Sequence, residues 1–324
     1  TGANNTAVGH NSLDANTEGG LNTAVGSASL GSNTTGVENT AVGVSSLTAN
    51  TTASYNTAMG RSALTTNTTG ANNTAIGYDA LNANTTAANN TAVGMNSLVA
   101  NTTGHSNTAV GFEAGAANTT GIRLTAIGYQ AGKAHVATGN VQNVFVGNEA
   151  GFGNTTGVTN TFIGGSAGAA NTTAANNVAV GTNSLGANTT GGTNTALGTS
   201  SLQANTTASN NTAVGHGSLA ANTTGTRNNS LGNSSLVANT TGDNNVALGS
   251  QALQSNTTAD DNTAVGYAAL NLNTTGAENT AVGKFALLSN TTASYNTAVG
   301  EGALQVTTTG QANTALGVDV LVAN

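Results

Sequence analysis

The chain has 324 residues with 12 acidic and 5 basic side chains, a formal charge of -7, and no Pro, Cys or Trp. With so few bases there is no stripe to neutralise phosphates, so a nucleic-acid interface is excluded and an anionic membrane surface is disfavoured. Zero Cys removes disulfides and thiolate metal sites, no apolar run is long enough to span a bilayer, and no signal-peptide pattern opens the chain.

The chain then writes one sentence repeatedly. NTAVGHNSLDANTEGGL at 5–21 is followed by NTAVGSASLGSNTTGVE and NTAVGVSSLTANTTASY. The repeat recurs 19 times, each start 17 residues after the last except for a step of 19 between Leu124 and Asn143. Residues 1–324 therefore read as a single continuous array, cut from a longer one, and self-similarity at this period is the signature of a solenoid.

Positions within the repeat are counted from its first Asn. Asn at position 1 (18 copies) and position 12 (17 copies) predicts amide ladders, since equivalent residues of stacked coils lie ~4.8 Å apart. Positions 2 to 4, Thr-Ala-Val in the commonest form, predict a short strand whose second and fourth residues share a face. Position 5 is Gly in all 19 copies, as a tight corner at positive φ requires. Position 15 alternates between Gly36 or Gly70 and Ala53 or Ala87, so that bend must suit a residue with a Cβ. Positions 6, 7, 10, 11, 16 and 17 vary freely and are expected to face solvent. The fold class is all-β, a parallel β-solenoid (β-roll) of 17-residue coils.

Position 3 is Ala in 16 copies, Phe at Phe145 and Phe162, and Ser at Ser230. Such uniformity implies that both faces of the strand are covered. We expect the Thr/Val face to line the coil, and the Ala face, Ala41 and Ala213 included, to seal against a sister chain in a homo-oligomer, a trimeric fibre.

Residues 107–176 form a variant segment with a two-residue insertion near 133–138. Here Ala114-Gly115, Ala131-Gly132, Ala150-Gly151 and Ala167-Gly168 replace the usual Ser-Leu or Ala-Leu at positions 8 and 9, while aromatics appear at Phe112, Tyr129, Phe145, Phe162 and Phe152. Volume lost at position 9 returning at positions 3 and 6 predicts that these rows pack together. Lys133 and His135 suggest a ligand-binding bulge; a loop tolerated at one corner explains the same letters and is the preferred reading.

No constellation carries chemistry. His10, His105, His135 and His216 fall in separate copies without metal-ligand spacing, and Asp260-Asp261 lacks the spaced acids of a calcium loop. No Ser, His and acid recur in fixed relation, and no GxGxxG opens a helix. Catalytic, cofactor-binding and metal residues are all expected to be absent, and the chain is expected not to be an enzyme. Asn33 before Thr34 and Thr35 forms a formal glycosylation sequon, which the ladder explains without sugar.

NTAVGYAALNLNTTGAENTAVG, residues 262–283, resembles repeats of fibrous surface proteins: the heads of trimeric autotransporter adhesins and the stalks of phage tail-fibre-like and bacterial adhesive fibre proteins. The resemblance covers the whole chain, and the 17-residue NTAVG form looks closer to the tail-fibre-like group. It implies parallel β-rolls in a trimer, extracellular, on a cell surface or virion, with a host surface receptor or glycan as further partner. Two other readings stay open: a monomeric ice-binding solenoid using Thr and Val ladders such as Thr6 with Val8, and a subunit of an end-to-end extracellular filament or sheath.

Overall fold

The computed structural model describes residues 2–322. It divides into two compact units, one ending at Asn160 and one starting at Thr161. Each is a parallel β-solenoid of ~17-residue coils, built from three-residue strands at positions 2 to 4. Within each unit successive strands pair parallel and without offset, Thr23, Ala24 and Val25 against Thr40, Ala41 and Val42 in the first, Thr195, Ala196 and Leu197 against Thr212, Ala213 and Val214 in the second.

Each coil turns at corners the sequence marks unevenly. The position-5 glycines lie at φ between 128° and 142°, a region essentially confined to Gly. A Cβ on Gly43 would sit 2.6 Å from the carbonyl oxygen of Gly60 in the next coil, so contact between coils as well as torsion requires Gly. The position-15 corner does not use positive φ, and Ala53 and Ala87 occupy it, buried.

Three further corners lie outside the sequence expectation. Positions 7, 9 and 17 are left-handed, as at Ser62 (φ 57°), Leu64 (φ 54°) and Tyr55 (φ 63°), in residues that ordinarily avoid this region at ~1–2 kcal/mol each. The signal existed: Gly217 and Gly302 stand at position 7, Gly115 and Gly132 at position 9, and Asn at position 17 in Asn72 and Asn89.

The faces of the strand are the reverse of the sequence expectation. Ala24, Ala41, Ala58, Ala196 and Ala213 are wholly buried inside their own chain, against the position-9 leucines of the core, while Thr and Val on either side point outward. The Ala row is therefore closed by its own coil and is no contact with a sister chain. The reason is width: a coil this narrow leaves room opposite Leu for little more than a methyl group, so the larger Thr and Val take the outer face.

Amides hold the coil shut. Asn39 Nδ2 donates to Ala53 O at 2.9 Å, and Asn50 Nδ2 donates to the same carbonyl at 3.0 Å, so one position-15 oxygen ties positions 1 and 12 together. Along the stack, Asn39 Oδ1 accepts from the backbone N–H of Asn56 at 3.0 Å, and Asn33 Oδ1 accepts from Asn50 Nδ2 at 2.8 Å. These amides are fully buried and satisfied, which is how a core this polar holds together. Asn33 Nδ2, the atom a glycan would occupy, donates to Asn16 Oδ1 and Gly36 O inside the coil.

In the variant coils the lost leucines are replaced from two directions. Phe145 fills the space of Gly132 and Gly151, where an added Cβ would meet its ring at 2.6 Å, and Phe162 does the same for Gly168 at 2.5 Å. The gap at Gly115 is taken by Leu124, which stands where other coils have their position-1 Asn. Row 3 thus packs on row 9 as the sequence implies. Row 6 does not: Phe112 and Tyr129 lie outside and stack on each other at 5.4 Å. The extra length lies between Val136 and Val141, because Val136 still donates to Thr155 O and Val141 to Ile122 O, with Gly139–Asn140 pairing Gly121–Ile122.

Candidate interaction surface

The outward rows at positions 2 and 4 form the most regular surface of each unit. Val, Ile, Leu or Met at position 4 is part-exposed in coil after coil, with Met59 at 42 %, Ile127 at 37 % and Leu248 at 39 %. Beside them the position-2 threonines are half-buried.

The two Thr rows of the repeat behave differently. Position-13 hydroxyls turn back on the stack: Thr34 Oγ1 donates to Thr51 O at 3.0 Å, Thr68 to Thr85 O at 3.0 Å and Thr257 to Thr274 O at 3.1 Å. Among the described residues the hydroxyls of Thr23, Thr40, Thr57 and the other position-2 threonines make no hydrogen bond within the chain. The sheet therefore presents parallel rows of unused hydroxyls and aliphatic groups, repeating at the coil rise of ~4.8 Å.

The residues singled out for chemistry are scattered. His10 and His216 are exposed at position 6, and His105 lies 3.1 Å from Ser106 Oγ. Asp260 Oδ1 accepts from the backbone N–H of Asp243 at 2.7 Å, and Asp261 occupies the left-handed corner at φ 58°, so this pair serves two turns. Lys133 and His135 diverge. Lys133 turns outward to Glu113 at 2.7 Å, a contact that, with Gln130, holds the Glu113 carboxyl below its usual range. His135 is fully buried at position 12 of the ladder. Among the described residues no three His, Asp or Glu side chains gather to hold a metal ion, and no helix is long and apolar enough to cross a membrane. A shallow depression of ≈ 220 Å³, bordered by Ser166, Asn183 and Gln203, carries no titratable side chain.

These features define a class by architecture, a parallel β-solenoid with buried amide ladders and one outward Thr/aliphatic face per unit. No protein-family model matches the chain, and no curated protein matches it.

Proposed function

We propose that the chain is a non-catalytic structural and adhesive segment of an extracellular fibre, on a cell surface or virion, in which copies associate through the outward Thr/Val face as a homotrimer. The unpartnered face carries this reading. It is periodic, nearly free of charge and apolar in alternate rows, and extended apolar patches of this kind mark interaction sites. A partner touching every coil must repeat at the same axial rise, which a second parallel copy does. Burying the position-4 row would remove apolar area at every coil, and the free hydroxyls can pair across the interface. The resemblance to adhesive fibre repeats supports the same reading, with a host surface receptor or glycan as the outer partner.

Light scattering on the purified chain tests it. A trimeric mass is expected, and V42K/V93K/V110K should give monomers with unchanged circular dichroism. A monomeric parent chain would defeat the proposal. The unused Thr hydroxyls favour a second reading, an ice-binding face, and a monomer showing thermal hysteresis that Thr57→Lys abolishes would establish that one instead.

A further inference from the structure

The stack of position-12 amides is interrupted at two described places, and each interruption leaves the same kind of orphan. At His135 the ring Nε2 and, one coil earlier, Asn118 Oδ1 are buried without hydrogen bonds; at Thr307 the hydroxyl and Asn290 Oδ1 are left in the same way. In the uninterrupted stack such an Oδ1 accepts from the next Asn, as Asn84 Oδ1 does from Asn101 at 3.1 Å. Only the first interruption contains a group that titrates.

The geometry around His135 fixes its protonation. Asn154 Nδ2 lies 3.0 Å from Nδ1 and also donates to Gly157 O at 2.9 Å, which sets the amide with its nitrogen toward the ring. An amide nitrogen only donates, so Nδ1 accepts and the imidazole proton resides on Nε2. Phe145 stands edge-on to the ring at 6.2 Å. The charged side chains of this coil and its two neighbours face elsewhere: Glu113 pairs with Lys133, Arg123 is exposed, Glu149 is part-exposed, and none bonds to the imidazole. A second proton would have to enter at Nδ1, against the Asn154 N–H, creating a buried cation with no counter-charge.

We propose that the His135 coil is an acid-operated weak point in the stack: the neutral ring completes the wall of the coil, and its protonation opens residues 124–142 locally while flanking coils stay closed. Burial holds the ring down at about 4 from its ordinary 6.5, with the Asn154 backbone opposing to a lesser degree. The opened coil takes up the proton with ordinary affinity. Closure is therefore complete above the ordinary value of 6.5 and weakens by roughly tenfold per pH unit as pH falls toward 4.

Hydrogen exchange of the full chain between pH 7 and pH 4, read by mass spectrometry and corrected for intrinsic rates, tests this. Peptides across 124–142 should lose protection progressively, while those across 56–106 keep theirs. His135→Asn, which restores the ladder residue, should abolish the pH dependence. Thr307→Asn should protect its own coil equally at every pH. Protection across 124–142 that ignores pH in the parent chain, or a loss that persists in His135→Asn, overturns the proposal. Should the variant not fold, the imidazole titration of the parent chain by NMR decides. A midpoint well below 6.5 that tracks the loss of protection upholds the device, and an ordinary midpoint ends it.

Discussion

Coils 56–106 and coils 107–159 enclose the same narrow interior with different side chains. In the first stretch Leu64, Leu81 and Leu98 fill it from position 9, opposite Ala58, Ala75 and Ala92. In the second, Gly115, Gly132 and Gly151 withdraw from position 9, and Leu124 and Phe145 enter from positions 1 and 3. Yet position 9 keeps one conformation, φ 54° at Leu64 and 57° at Gly132, and one hydrogen bond, Leu64 N–H to Ala80 O at 2.9 Å and Gly132 N–H to Ala150 O at 2.9 Å. The comparison separates two roles that a globular core merges. Bonds between coils set the backbone, and the side chains fill whatever space that backbone leaves.

Removing Phe145 should break the variant stretch hardest. F145A leaves a void walled by two glycines that cannot fill it, and should cost about 3–5 kcal/mol, seen as loss of exchange protection across 124–158. L64A, its counterpart in the regular stretch, should cost about 2–5 kcal/mol. A sharper contrast comes from L64G. Because the site is left-handed, Gly relieves ~1 kcal/mol of torsional strain that Ala retains, so L64G should match or exceed L64A, inverting the usual order of the two residues. N50A strips amide partners from Asn33, Asn67 and Ala53 and should cost about 1–3 kcal/mol in the adjoining coils. Smallest of all, T57V on the outward face should shift stability by no more than about 0.5 kcal/mol, since its hydroxyl binds nothing in the chain.

Much of this was legible in the letters. The period, the strand at positions 2 to 4, the Gly corner and both amide ladders follow from which residue types recur and where. What failed was the direction of the strand. Period-2 alternation says that Thr57 and Met59 share one face and Ala58 takes the other, but not which face is inside, because Ala suits a narrow interior as well as a close interface. The left-handed leucines were hidden for a related reason. Leu at φ 54° violates local preference, and only the hydrogen bonds between coils, which reach the adjacent repeat and no further, hold it there. The sequence reading leaves His135 in a loop tolerated at one corner; counting from Leu124 places it at position 12, where every other described copy but one has Asn.

The doubly used oxygen at position 15 has a consequence for how such a chain can change in length. Ala53 O receives both amides of its own turn, and the remaining partners belong to the turns directly above and below. Excising one complete 17-residue unit within a run of regular copies would bring chemically equivalent edges together and leave no dangling donor, whereas removing 16 or 18 would leave one coil a residue too long or too short, to be absorbed at a corner as the 19-residue coil absorbs its excess between Val136 and Val141 while Gly147 keeps its bend at φ 136°. Growth and shrinkage in whole increments thus leaves every corner as it was, while any other length change must be taken up by remaking one of them.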